Sequence, residues 1–180
     1  MSSANERLSL TAHRLCAAPV LLHGAAVVIR VGVISDTHGL LRPEALDALQ
    51  GVEHIIHAGD IGKGDIIEAL SAIAPVTAVH GNIDKGEIRS LYPHDAVLPI
   101  AGHHVYVLHI LDELKIDPAA AGFQVVVYGH SHKPAMERKA DVLYLNPGSA
   151  GPRRFSLPVT CAVLCISDAG VDAEILHLAV

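Results

Sequence analysis

The chain has 180 residues, enough for one well-buried domain and short for two. It is 51% hydrophobic and 18% charged, which excludes disorder for its bulk. A net charge of -6 argues against a broad electrostatic nucleic-acid surface, since neutralising phosphates needs clustered Lys and Arg.

Arg7 and Arg14 precede an apolar stretch over residues 17–29, but Pro19, His23 and Gly24 interrupt it. No small-residue cleavage site clearly follows, so a signal peptide is disfavoured. No apolar run approaches the ~20 residues that a membrane span needs. Residues 1–26 therefore read as an extension with little order, and the domain proper as residues 27–180. The cysteines are Cys16, Cys161 and Cys165, an odd count without a metal-type CxxC pair. Cys161 and Cys165 lie in an apolar run and read as small hydrophobes, which suits a reducing, cytoplasmic compartment.

From Val27 a short β-branched run is followed repeatedly by a polar or Gly-rich turn. Residues 27–34 lead to Asp36-Thr37-His38, residues 54–57 to Gly59-Asp60, and residues 76–79 to Gly81-Asn82. Residues 105–108 lead to His109, and residues 125–128 to Gly129-His130-Ser131-His132. Continuous apolar runs of this kind suit strands buried on both faces. Helices are expected over residues 43–50, opened by Pro43, over residues 65–73, closed by Pro75, and over residues 117–122. Strands then meander over residues 135–139, 142–145, 159–166 and 171–178, with a hairpin turn at Asp168-Ala169-Gly170. Alternating β and α followed by hairpins implies an α/β fold with mixed sheets flanked by helices.

Each Asp, His or Asn in these turns sits just past the carboxyl end of an expected strand, the edge where open α/β sheets bind ligands. Taken singly, each has a plainer reading. Asp36 resembles a helix-capping residue, Gly59-Asp60 and Gly81-Asn82 ordinary turns, and His109 a satisfied core histidine. Together and in order, they offer two oxygen- and imidazole-rich donor sets if one carboxylate bridges. Such donors suit Mn, Fe, Zn, Co or Ni, and no thiolate suggests a structural zinc site. Two such ions about 3.5–4 Å apart form a clamp for displacement at phosphorus.

This ordered set, Asp-x-His, Gly-Asp, Gly-Asn, a lone His and Gly-His-x-His, resembles the calcineurin-like metallophosphoesterase superfamily. The chain's size, its Gly129-His130-Ser131-His132 turn and its Asn146-Pro147-Gly148-Ser149 segment are closest to the small YfcE-type phosphodiesterases. The resemblance spans residues 27–180 and implies a four-layer α/β/β/α sandwich with a dimetal site between the sheet edges. It implies that Asp36, His38, Asp60 and His132 bind the first metal, and that Asp60 bridges to a second completed by Asn82, His109 and His130. Asn82 would also touch the phosphoryl group, and the nucleophile would be a metal-held hydroxide. Manganese is the favoured ion, with Ni, Co, Fe and Zn as alternatives.

Two positions depart from the family pattern. Ile83 stands where a His often serves as general acid, and Ile110 follows His109 where Gly is usual. Asp84 is placed to orient a ligand from behind. Arg153 and Arg154, on a loop after Asn146-Pro147-Gly148-Ser149, form a candidate clamp for a non-scissile phosphate, with the Ile83 flank accepting an ester substituent. His57 and His80 read as structural, and His103-His104 as a surface turn. The activity implied is hydrolysis of small or nucleotide-like phosphodiesters, with no stable nucleic-acid or membrane partner and homo-oligomerisation left open. The rivals are a phosphomonoesterase using the same site and a protein-binding scaffold like the family's retromer subunit.

Overall fold

A computed structural model describes residues 27–180. The expected N-terminal extension lies outside the described residues. Two five-stranded mixed sheets stack face to face. The first has the order β10-β9-β1-β2-β3, where β1 is Ile29–Ile34, β2 His54–His57, β3 Val76–Ala78, β9 Thr160–Ser167 and β10 Gly170–His177. The second has the order β4-β5-β6-β8-β7, with β4 Asp95–Ile100, β5 His103–Leu108, β6 Val125–Val127, β7 Ala135–Lys139 and β8 Val142–Asn146. Strands β1, β2 and β3 are parallel to one another, as are β5, β6 and β8, while the hairpin partners run antiparallel.

Alternation along the strands sets the layers. On β9 every residue is buried, yet Ala162, Leu164 and Ile166 face the second sheet while Cys161, Val163 and Cys165 face the helices. That double burial is why the run carries no polar period. Between the sheets, Val31, Val33, Ile56, Val107, Val127 and Leu145 close the main core. Each such side chain contributes about 1.5–3 kcal/mol when fully buried. Helices α1 (Pro43–Ala48) and α2 (Gly64–Ser71) cover the other face of the first sheet with Leu49, Ile66, Ile67 and Leu70. Over the second sheet, the outer layer is a 3-10 turn at Leu111–Glu113 with Leu114, packed near Leu108 and Val126. Cys161 is a buried free thiol, and burial raises it to about 12. No helix among the described residues is long and apolar enough to cross a membrane.

Most expected strands hold within a residue or two, and four features differ. A helix α3 spans Gly86–Leu91, and β4 follows it; neither was expected. Helix α3 buries no residue, so it leaves no strong apolar period to read. Strand β4 carries Pro99, which is tolerated because the strand lies at a sheet edge. His103 and His104 open β5 instead of forming a surface turn; the turn lies at Ala101-Gly102, both with positive φ. Residues 117–122 form a single turn and no helix: the Asp117 carboxylate accepts the Ala119 and Ala120 amides, and Gly122 at φ +79 ends it.

Candidate metal centre

The parallel strands of both sheets end at one rim. There, backbone pairing continues past the strand ends: the Asp36 amide donates to Gly59 O at 3.0 Å, and the His38 amide to Asp60 O at 2.9 Å. Across the second sheet the Gly129 amide donates to His109 O at 3.0 Å. Residues from five separate strand ends therefore meet.

Two donor clusters result, Asp36 with His38 and His132, and Asp36 with Asp60 and His109. His132 Nε2 lies 3.2 Å from Asp36 Oδ1 and 3.2 Å from His38 Nε2. Asp60 faces both clusters, its Oδ2 3.7 Å from His38 Nε2 and its Oδ1 3.3 Å from His109 Nε2. Asn82 Oδ1 sits 3.2 Å from His109 Nε2 and 2.8 Å from His130 Nδ1. His130, exposed, thus joins the second cluster through Asn82.

The chemistry of these groups fits divalent cations. Asp36 Oδ1 is buried and has no hydrogen-bond partner, an arrangement that costs roughly 1–3 kcal/mol unless something electropositive meets it. Burial raises the Asp36 carboxyl to about 6, against the lowering effect of His109. Burial lowers His132 to about 4, with Arg154 and His38 adding to the effect, and it also lowers His38. Both imidazoles are held neutral, the form that binds metals. Asp60 is held below the usual carboxylate range: burial pushes it up, but the His109 hydrogen bond and the Ile83 amide at 3.0 Å outweigh that. His109 is raised, because Asp60 and Asp36 overcome the burial that lowers it. Its Nδ1–H donates to Ala58 O at 2.7 Å, which leaves Nε2 facing the cluster.

The backbone holds these donors in costly conformations. Asp36, His38, Asp60, His130 and His132 all have φ between 47° and 67°. For non-Gly residues that region costs ~1–2 kcal/mol each, and such strain concentrates at functional sites. Small neighbours make the approach feasible. A Cβ on Gly81 would lie 2.0 Å from Asp60 Oδ1, and one on Gly129 would lie 2.1 Å from Ser35 Oγ.

Supporting residues lock the loops. Asp84, 1% exposed, accepts the Ile61, Gly62 and Gly81 amides at 3.1, 2.8 and 2.8 Å, so it ties the Asp60 loop to the Asn82 loop. Asn146 Nδ2 donates to Gly129 O at 2.7 Å, and Ser149 Oγ to Asp36 O at 2.9 Å. Those two residues sit in the Asn146-Pro147-Gly148-Ser149 segment, whose sequence reads equally well as a plain turn. His57, fully buried, lies 2.9 Å from Thr37 Oγ1 and accepts the Gly59 amide on Nδ1 at 3.3 Å.

The arginine pair divides. Arg154 Nη2 reaches within 3.4 Å of His38 Nε2, at the rim of the first cluster. Arg153 instead donates to Val180 O at 2.8 Å and is not brought to the site. Ile83 places its amide on Asp60 and leaves its side chain 38% exposed. Beside the second cluster lies a cavity of about 250 Å³ whose walls include Arg89, His94 and Glu113, residues that no sequence motif singles out.

A two-sheet sandwich with carboxylates and imidazoles converging at the strand ends fits a metal-dependent phosphoesterase. Residues 29–169 match the calcineurin-like phosphoesterase superfamily domain, and the chain belongs to that superfamily. It is 35% identical over 159 residues to a probable metallophosphoesterase of Methanothermobacter thermautotrophicus, covering 82% of this chain and 91% of the relative. It is 25% identical over 178 residues to the phosphodiesterase YfcE of Escherichia coli K12, covering 78% and 94%. The structure of Vacuolar Protein Sorting 29 from Cryptosporidium parvum shares the fold, with a TM-score of 0.68 at 18% identity over 84% of this chain and 98% of that one.

Proposed function

We propose that this chain is a metal-dependent phosphodiesterase acting on small or nucleotide-like phosphodiesters at a centre of two divalent transition-metal ions, manganese being favoured. The observation that carries the reading is the pair of donor clusters sharing Asp36 and spanned by the two oxygens of Asp60. Asp36, His38 and His132 would hold one ion, and Asn82, His109 and His130 the other, with Asp60 between them. When bound, the ions supply an activated water and neutralise the phosphoryl oxygens.

The protein's own groups do the rest. Asn82 Oδ1 faces the two histidines of the second cluster, and its amide nitrogen would donate to a phosphoryl oxygen. Arg154 adds a cation beside His38, where it can meet the remaining anionic oxygen. Asp84 and Ser149 keep the loops from yielding as charge moves. Ile83 offers no proton to the departing oxygen, and its partly exposed side chain suits an ester substituent better than a dianionic monoester. The intact donor set favours hydrolysis over a purely protein-binding role, although scaffolds share the fold.

The test is hydrolysis of bis(p-nitrophenyl) phosphate beside p-nitrophenyl phosphate, with Mn, Ni, Co, Zn and Mg each supplied in turn. The expected result is metal-dependent turnover with the diester ahead. Metal binding with no turnover of either ester would refute the proposal and leave the scaffold reading.

A further inference from the structure

We infer that the cavity beside the second cluster binds the ester arm that stays on phosphorus, and that Arg89 selects arms ending in a second phosphate-like anion. The inference rests on the phosphodiesterase reading above and narrows its substrate class.

The cavity, about 250 Å³, is walled by His80, Asn82, Arg89, His94, His109 and Glu113. Asn82 and His109 belong to the metal centre, so a phosphoryl group held there has one substituent directed into this space. The volume suits a short arm with a terminal anionic group.

Glu113 Oε2 lies 2.8 Å from His94 Nε2, and Asp95 Oδ1 lies 3.3 Å from His94 Nδ1. Tyr106 donates its hydroxyl to the other Asp95 oxygen at 2.9 Å. The lining carboxylate Glu113 is paired with His94 and makes no ion pair with Arg89. Among the described residues, Arg89 makes no ion pair within 4.0 Å. A planar guanidinium with free donors in a cavity is suited to phosphate-type oxygens.

The element that carries Arg89 has little else to hold it in place. Helix α3 buries no residue, and Ile88 and Tyr92 pack only partly against the helical layer. Core packing explains little of its placement, whereas delivery of Arg89 to the cavity wall gives it a role. The His94–Glu113 contact, between two half-exposed side chains, joins the β4 side of the cavity to the 3-10 turn.

The experiment compares two p-nitrophenyl phosphodiesters in the metal-loaded enzyme, one with an ethyl arm and one with a 2-phosphonoethyl arm. In the wild type, the phosphonate arm is expected to raise kcat/KM about tenfold, chiefly through KM, in line with a partly exposed charge-assisted contact. In Arg89→Ala the ratio should fall to within about twofold, and Arg89→Lys should keep part of it. A merely structural role for Arg89 would lower both substrates alike and leave the ratio unchanged, which overturns the inference. Equal rates for the two esters in the wild type overturn it as well, while leaving the phosphodiesterase reading intact. No cleavage of either ester with any of the five metals overturns both.

Discussion

Replacing Asp84 with alanine tests whether the centre is held from behind. The carboxylate accepts three backbone amides, and its contacts to Ile61 and Gly81 are fully buried. The Gly62 contact is only partly buried and can return to water. Removing the acceptor leaves two buried N–H groups without partners, at roughly 1–3 kcal/mol each. A cavity the size of the lost carboxyl adds to that, so a loss of about 3–5 kcal/mol is expected from urea unfolding. Because the same carboxylate couples the Asp60 and Asn82 loops, metal affinity measured by calorimetry should fall in the variant even under conditions where it is folded. Asp84→Asn keeps one acceptor oxygen and should fall between the two. A stability loss under about 1 kcal/mol in Asp84→Ala would show that the loops do not depend on this carboxylate, and the reasoning would be refuted.

Asp60→Asn should strip metal from both clusters together while keeping the fold; full metal content by elemental analysis would sink its spanning role. Gly81→Ala should cost most of the activity, since its Cβ would fall 2.0 Å from Asp60 Oδ1, and unchanged turnover would mean that the Asn82 loop shifts freely. His57 is fully buried and lowered from 6.5 to about 4, so the unfolded chain takes its proton first as pH falls. That contribution is present above pH 6.5, is lost as pH falls towards 4, and amounts to about 3 kcal/mol. His57→Gln should therefore flatten the acid limb of stability, and identical limbs in both proteins would contradict it. With no acid at Ile83, rates should climb steeply across a series of increasingly acidic leaving groups and flatten in Ile83→His; a flat wild-type series would point to another proton donor.

The strand framework was legible because parallel strands buried on both faces leave unbroken apolar runs, as on β6 and the second half of β1, and their ends are marked by Asp, His and Gly. The same feature brought the seven donor residues into view, since each stands one to five residues beyond a strand that the sequence shows clearly. Helix α3 was hidden because it buries nothing, and β4 because Pro99 argues against a strand unless an edge position is known. The cavity was hidden for a different reason. Arg89, His94 and Glu113 come from three segments that carry no shared pattern and meet only through the packing of α3, β4 and the 3-10 turn. Arg153 and Arg154 are indistinguishable as neighbours in sequence, and the capture of one by the Val180 carbonyl separates them.

What distinguishes this centre from a chance gathering of polar residues is where its strain lies. Five donor residues occupy left-handed backbone at φ between 47° and 67°, a conformation that side chains of this size resist. Such geometry persists only when surrounding contacts over-determine it. Here the contacts can be named: the Asp36 and His38 amides donate across to the β2 end, Ser149 caps the Asp36 carbonyl, and Asn146 holds the Gly129 carbonyl ahead of His130. The glycines beside the donors follow from the same requirement, because a Cβ at Gly81 or Gly129 would occupy the space that Asp60 and Ser35 need. Each motif thus pairs a donor with the small residue or hydrogen bond that keeps it aimed. The Asp36 oxygen that no hydrogen bond satisfies is held rigidly beside two neutral imidazoles, an arrangement that a cation would stabilise.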